Sequence, residues 1–117
     1  IHGLGCAGSF DYVEVASALG SEHRIILVDL LGAGYSDKPL LFKYTVASHV
    51  KYLKEFIEDL NLEKIILFGH SLGGAIAIEL SALLKSRVKA LILSESNLEP
   101  STPGSASFEF ANFNEMD

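Results

Sequence analysis

The chain has 117 residues and a mass of 12.6 kDa, which leaves room for one domain at most. Hydrophobic residues make up 49% and charged residues 21%, a composition typical of a folded globular chain and not of a disordered one. Fifteen acidic and nine basic residues give a net charge of −6, without a basic run, so we expect no nucleic-acid partner. The single cysteine, Cys6, excludes an internal disulfide and a thiolate metal site.

Helical and strand-like segments alternate along the chain. In chain order the sequence predicts a helix over Phe10–Leu19, a strand over Arg24–Val28, a helix over Val46–Leu60, a strand over Lys64–Phe68, a helix over Leu72–Leu84 and a strand over Val88–Leu93. The strands are almost continuously apolar, which is typical of parallel strands covered on both faces. We therefore expect an α/β fold with three layers, in which helices cover both faces of a mostly parallel sheet. The longest apolar run, Leu72–Ile78, is too short to span a membrane.

Polar residues mark several of the predicted helix ends. Ser9 and Thr45 precede the first two helices, and both are residue types whose hydroxyl oxygen caps free backbone N–H groups. Asn61 follows the second helix and tolerates the left-handed conformation in which many helices end. Apolar side chains recur every three or four residues in that helix, which predicts one face packed on the sheet. His23 and His49 are interpreted as exposed positions without a role.

The segment Gly69–Gly74 (GHSLGG) contains the pattern G-x-S-x-G and lies between a predicted strand and a predicted helix. A nucleophile elbow requires this strand–turn–helix context. The turn is so tight that a side chain at Gly69 or Gly73 would collide with backbone, and Ser71 would adopt a strained conformation. The motif therefore predicts a nucleophilic Ser71 at the carboxyl edge of the sheet, near a helix N-terminus. The alternative is an ordinary glycine-rich turn.

Two further blocks precede this motif, HGLG at residues 2–5 and DLLGAGYSDKP at residues 29–39. Together, the three blocks resemble the α/β-hydrolase fold family over residues 1 to about 100. The resemblance implies a partial, incomplete α/β-hydrolase core over residues 1–99, followed by the start of a lid at 100–117. It also implies hydrolysis of an ester, thioester or similar acyl bond in a small-molecule substrate, without a metal or an organic cofactor.

The resemblance also implies roles for individual residues. Ser71 is the catalytic nucleophile, and the backbone N–H groups of Leu4 and Leu72 form the oxyanion hole. His2 is a structural residue that is bonded to backbone. Asp29 shapes the rim of the site and does not act as a general base.

A complete catalytic triad is not present in the sequence. The residues of a triad follow the order serine, acid, histidine in this fold, whereas all four histidines precede Ser71. His70 is expected to pack beside the nucleophile without reacting. Glu95, at the end of the last predicted strand, is the candidate acid; Glu99 is a weaker candidate, and an acid beyond residue 117 is the alternative. We expect a fragment of a protein about twice this length, inactive by itself.

Two other interpretations compete with a serine hydrolase. Residues 3–8 (GLGCAG) match the dinucleotide-binding pattern G-x-G-x-x-G, with Asp29 as the acid that would bind ribose. A degenerate hydrolase fold would instead serve as a non-catalytic binding module. Within the family, serine in place of aspartate at position 71 argues against haloalkane dehalogenase and epoxide hydrolase chemistry. The sequence does not indicate an oligomeric state.

Overall fold

The computed structural model describes residues 1–96, 98, 99 and 102–104. In chain order the elements are helices α1 (Gly8–Asp11), α2 (Val13–Leu19) and α3 (Val46–Asp59), strand β1 (Ile65–His70), helix α4 (Leu72–Leu84), a 3₁₀ turn (Lys85–Arg87) and strand β2 (Val88–Ser94). The predicted lid start at 100–117, apart from 102–104, lies outside the described residues. None of the helices in these residues is long and apolar enough to cross a membrane.

Strands β1 and β2 are parallel neighbours, and α4 connects them. Phe68 lies opposite Ile92, and His70 lies opposite Ser94. Helix α4 packs on one face of this pair, where Ile76 and Leu80 are completely buried. A helix that is apolar on almost every side buries its surface between neighbouring elements. The predicted α/β fold with parallel strands is therefore confirmed.

Helix α3 packs against α4 through a stripe of apolar side chains, which includes the buried Val50, Leu53 and Ile57. The predicted cap is present, because the Thr45 hydroxyl oxygen accepts a hydrogen bond from the backbone N–H of Ser48 at 3.1 Å. Leu60 ends the helix, and Asn61 follows with a φ angle of 53°. Both predicted helix ends are thus confirmed.

The predicted strand over Arg24–Val28 is wrong, because this segment forms no strand ladder in the structure. Its neighbour in space is the start of the chain, where the backbone N–H of Leu30 donates to the His2 ring. Ile1 in turn lies beside β1, since its amino group donates to the carbonyl oxygen of Phe68 at 2.6 Å. A strand is defined by backbone hydrogen bonds to a neighbour, and apolar composition alone does not supply that neighbour.

The first predicted helix is also different in the structure. It divides into α1 and α2 at Tyr12, and Ala7, not Ser9, stands at the N-cap position of α1. Ser9 lies inside α1, where its backbone N–H and its hydroxyl both donate to Asp29. The Ser9 hydroxyl, which the local pattern assigned to the helix cap, therefore bonds to a residue far away in the sequence.

The sheet is covered on one face only in the part of the chain that is described. Leu67 is buried against α4, whereas Ile66 and Phe68, which alternate with it, remain 54% and 39% exposed. The ring of Tyr12 touches the edge of the Phe68 ring, with centroids 6.3 Å apart. Among the described residues this face is therefore only partly covered, in agreement with the incomplete core that the sequence predicts.

Candidate active site

Ser71 occupies the turn between the carboxyl end of β1 and the first residue of α4. Its φ and ψ angles of 54° and −119° lie outside the regions that residues with a side chain prefer. Its backbone N–H donates to the carbonyl oxygen of Ser94 at 3.0 Å, and its own carbonyl accepts from Gly74 at 2.9 Å. The turn is thus fastened both to the end of β2 and to the first turn of α4.

Two glycines make this turn sterically possible. A Cβ atom on Gly69 would lie 2.5 Å from the carbonyl oxygen of Gly73 and 2.6 Å from the Cα atom of Gly74. A Cβ atom on Gly73 would lie 2.5 Å from the carbonyl oxygen of His2. These distances are far below van der Waals contact, which confirms the predicted collision with backbone.

The loop that contains Leu4 lies against the same turn. A Cβ atom on Gly3 would be 3.0 Å from the Cβ atom of Ser71, so the two backbones are in close contact. Leu4 follows Gly3, and both Leu4 and Leu72 line one open cleft of about 840 Å³. The two residues predicted for the oxyanion hole therefore border one cleft, and Leu72 directly follows Ser71.

His2 links this loop to the backbone of residue 30. Its ring is buried, and Nε2 accepts a hydrogen bond from the backbone N–H of Leu30 at 2.9 Å. Nδ1 therefore carries the proton and donates to the carbonyl oxygen of Gly3 at 2.8 Å. Both ring nitrogens are bonded to backbone, which confirms the predicted structural role of His2.

Asp29 joins two loops through its carboxylate. Oδ1 accepts from the backbone N–H of Ser9 at 2.8 Å, while Oδ2 accepts from the Ser9 hydroxyl at 2.6 Å and from the backbone N–H of Tyr35 at 2.9 Å. Desolvation raises the pKa of this carboxyl, but the hydrogen bonds from Ser9 and Tyr35 lower it by more, so that its pKa lies below the ordinary value. Its bonds to Ser9 and Tyr35 agree with the predicted role of Asp29 in shaping the rim of the site.

Glu95 and His70 lie at the carboxyl edge of the sheet, as Ser71 does. Glu95 directly follows β2 with a φ angle of 46°, and its side chain is 87% exposed. Its Oε2 atom lies 3.6 Å from Nε2 of His70, which is too long for a hydrogen bond. His70 packs edge-on against Tyr12, and its Nδ1 atom is buried without a hydrogen-bond partner in the described structure. The weaker candidate Glu99 lies in the following loop and is exposed.

His49, interpreted from the sequence as an exposed position, is only 7% exposed in the structure. Its ring packs edge-on against Phe42, with centroids 5.2 Å apart, and borders the cleft beside Leu4. Burial lowers the pKa of His49, so the neutral form of the imidazole predominates at pH 7. The sequence carried a signal for this burial, because His49 lies three residues after Val46 and four before Leu53, on the apolar stripe of α3. His23 is exposed, as predicted.

Residues around the cleft do not assemble a metal centre. No group of three or more His, Cys, Asp or Glu side chains that could hold a metal ion occurs within residues 1–96, 98, 99 and 102–104. His2 and Asp29 instead bond to backbone groups and to a hydroxyl group.

A profile of the alpha/beta hydrolase fold matches residues 1–114, nearly the entire chain. The chain belongs to the alpha/beta hydrolase family. The resemblance inferred from the three sequence blocks is thereby confirmed. A solved alpha/beta hydrolase, a marine microorganism esterase, superimposes with a TM-score of 0.85 at 27% identity, covering 95% of this chain and 41% of the esterase.

Curated relatives of this alpha/beta hydrolase chain are named as different kinds of hydrolase. A 3-hydroxybutyrate-oligomer hydrolase from Cupriavidus necator is 38% identical over 95 residues, which cover 80% of this chain and 32% of the relative. Haloalkane dehalogenase 2 from Mycobacterium tuberculosis is 31% identical over 85 residues, which cover 73% of this chain and 30% of the relative. The chain thus spans about a third of the length of these relatives. The family includes enzymes that cleave different bonds, so the reaction must be argued from the site.

Proposed function

We propose that the chain is the nucleophile-bearing part of a serine hydrolase that cleaves an ester, thioester or similar acyl bond. One observation carries this proposal: Ser71 lies in a strained turn between the carboxyl end of β1 and the N-terminus of α4. Such a turn presents a hydroxyl group at the edge of a sheet, next to the partial positive charge of a helix end. The names of two similar proteins, an esterase and an oligomer hydrolase of 3-hydroxybutyrate, also favour an ester bond.

In the proposed mechanism, Ser71 attacks the carbonyl carbon of the substrate and forms an acyl-enzyme. A histidine outside residues 1–117 takes the proton of the Ser71 hydroxyl and gives it to the alcohol or thiol that leaves when the acyl bond breaks. The same histidine later activates the water that releases the acyl group. The backbone N–H groups of Leu4 and Leu72 stabilise the negative charge that develops on the carbonyl oxygen. Loss of one such donor typically lowers the rate by about 10²–10³.

Glu95 is the proposed acid of the triad. It follows Ser94, whose carbonyl oxygen accepts the backbone N–H of Ser71, so that the two candidate residues lie on connected turns. An exposed carboxylate at this edge is accessible to a histidine from another part of the protein. In that arrangement the carboxylate orients the imidazole and stabilises the imidazolium that forms during the reaction. Serine at position 71 also distinguishes the proposed chemistry from that of the similar dehalogenase.

Labelling of the full-length protein with a fluorophosphonate probe tests the assignment of Ser71. Such probes react with serine hydroxyl groups that a neighbouring base has activated. We expect covalent labelling of the peptide that contains Ser71, complete loss of labelling in Ser71→Ala, and full labelling in Ser81→Ala, a matched serine on α4. Labelling that persists in Ser71→Ala would contradict the proposal. A folded full-length protein that is not labelled would instead favour the non-catalytic binding module.

A further inference from the structure

The cleft beside Leu4 and Leu72 contains a buried imidazole whose polar atoms are not used. His49 lines this cleft, and no hydrogen bond to its ring nitrogens is found among the described residues. The rings of Phe42 and Tyr44 surround it, with centroids 5.2 and 6.2 Å away. Packing against these two aromatic rings restricts the orientation of the imidazole, which lines the cleft.

The other polar side chains along the cleft, apart from the exposed Tyr35, have partners within the chain. Both nitrogens of His2 are bonded to backbone, and the Ser9 hydroxyl donates to Asp29. The Tyr44 hydroxyl donates to the carbonyl oxygen of Pro39 at 3.0 Å, and Asp11 accepts the backbone N–H of Ala7 at 2.7 Å. His49 is therefore the buried side chain of this cleft that has hydrogen-bonding capacity left for a ligand.

The chemistry of the imidazole indicates which group it would recognise. Burial lowers the pKa of His49, so the neutral ring offers one N–H donor and one acceptor nitrogen. A hydroxyl group on a ligand is likewise both a donor and an acceptor, and it is uncharged. A carboxylate would gain no ion pair from a neutral ring and would lose its hydration in a cleft with apolar walls.

We propose that His49 determines substrate specificity by binding a hydroxyl group on the acyl chain of the substrate. The cleft places this residue in the same cavity as Leu4 and Leu72, the two residues proposed to bind the carbonyl oxygen. Its volume of about 840 Å³ is within the range of clefts that bind small organic ligands. This inference rests on the proposed function, since it assigns the cleft to the acyl part of an ester.

Pairs of esters that differ by one hydroxyl group test the proposal in the full-length protein. We would compare the 4-nitrophenyl esters of butyrate and 3-hydroxybutyrate, and those of hexanoate and 6-hydroxyhexanoate, by the ratio of kcat/KM within each pair. In the wild type we expect at least one hydroxylated ester to be preferred by about tenfold, the effect of one additional hydrogen bond. In His49→Phe we expect this preference to fall to within about twofold.

Two further variants separate recognition of the substrate hydroxyl group from a general effect on folding. His49→Asn keeps a donor and an acceptor at this position and should retain part of the preference. His23→Gln changes an exposed histidine and should retain all of it. Ratios near one for every pair in the wild type, or a preference that His49→Phe does not change, would overturn the proposal.

Equilibrium binding distinguishes failure of this inference from failure of the proposed function. Calorimetry with the intact esters and the full-length Ser71→Ala protein measures the same preference without turnover. Suppose that a hydroxylated ester binds more tightly in a manner that depends on His49, while the wild-type protein hydrolyses none of the esters. That result would overturn the proposed function and support this inference. Ester hydrolysis that requires Ser71 but has no hydroxyl preference would overturn this inference alone.

Discussion

Asp29 is a single carboxylate that fixes two loops beside the candidate site. It accepts three hydrogen bonds, two from Ser9 and one from Tyr35. The Ser9 bonds hold α1, which directly follows the loop of Leu4. The geometry of the proposed oxyanion hole therefore depends on a residue that touches no substrate atom.

The variant Asp29→Asn should destabilise the full-length protein without removing a reacting group. The amide keeps one acceptor oxygen but directs an NH₂ group at donors from Ser9 or Tyr35. Since hydrogen bonds to a charged group contribute about 1.5–3 kcal/mol each, we expect a loss of about that size at pH 7. Urea unfolding of both proteins measures it, and equal midpoints would contradict the role assigned to Asp29.

The effect of Asp29→Asn should depend on pH in one direction. The folded state lowers the pKa of Asp29, so its charged form stabilises the fold above the ordinary aspartate pKa of about 3.9. This contribution is lost as the pH falls through the lower pKa of the folded protein. The difference in unfolding free energy between the two proteins should therefore be constant near neutral pH and shrink below about pH 4.

The variant Glu95→Gln tests the proposed acid. Glutamine keeps the size of the side chain and has the same backbone requirement at a φ angle of 46°, but it removes the charge. We expect kcat of the full-length enzyme to fall by about 10³–10⁴, with an unchanged melting temperature. Glu99→Gln is the matched control and should change kcat by less than about twofold. A loss below about tenfold for both Glu95→Gln and Glu99→Gln would place the acid beyond residue 117.

At the scale of elements, the unit from β1 through α4 to β2 carries the candidate nucleophile. Gly73 lies in the first turn of α4, where a side chain would meet the carbonyl oxygen of His2. The variant Gly73→Ala should therefore displace the start of the chain or the helix and cost about 1–3 kcal/mol of stability. Glu79→Ala, at an exposed position of the same helix, should change stability by less than about 0.5 kcal/mol. Thermal unfolding of both variants measures this contrast, and equal losses would contradict the steric argument.

The helices and strands whose ends are marked by residues close in sequence were predictable. The bounds of α4 match the prediction, and those of α3, β1 and β2 agree to within about two residues, because periodic apolar residues, caps and glycines mark them locally. The segment 24–28 is equally apolar, yet it forms no ladder, because pairing depends on which chain lies beside it. Composition contains no information about that neighbour.

The candidate site was likewise predictable where its geometry depends on residues that are adjacent in sequence. The G-x-S-x-G pattern located Ser71 because the steric demand of the turn falls on adjacent residues. The use of the Ser9 hydroxyl by Asp29 was not predictable, because it joins residues that are 20 positions apart. His49 was misjudged as exposed for a different reason: its residue type outweighed its position on the apolar stripe of α3.

At the scale of the molecule, residues 1–117 expressed alone should be inactive. No histidine follows Ser71, so no base in the expected position is available to take its proton. We expect no turnover of 4-nitrophenyl esters above a Ser71→Ala control. Low solubility is also expected, because Ile66, Phe68 and other large apolar side chains are exposed. A soluble monomer with turnover that depends on Ser71 would contradict this prediction.

The two sides of the candidate site differ in how they are connected to the rest of the fold. Ser71 and Ser94 belong to one contiguous β-α-β unit, whereas the loop of Leu4 is held in place through contacts such as that between His2 and Leu30, 28 residues apart. Segments with few local contacts open at lower free energy than the units they pack on. The loop of Leu4 can therefore detach transiently while the Ser71 turn stays folded. Its amide hydrogens would then exchange with solvent faster than those of α4, and Ser71 would exist briefly without one donor of the proposed oxyanion hole.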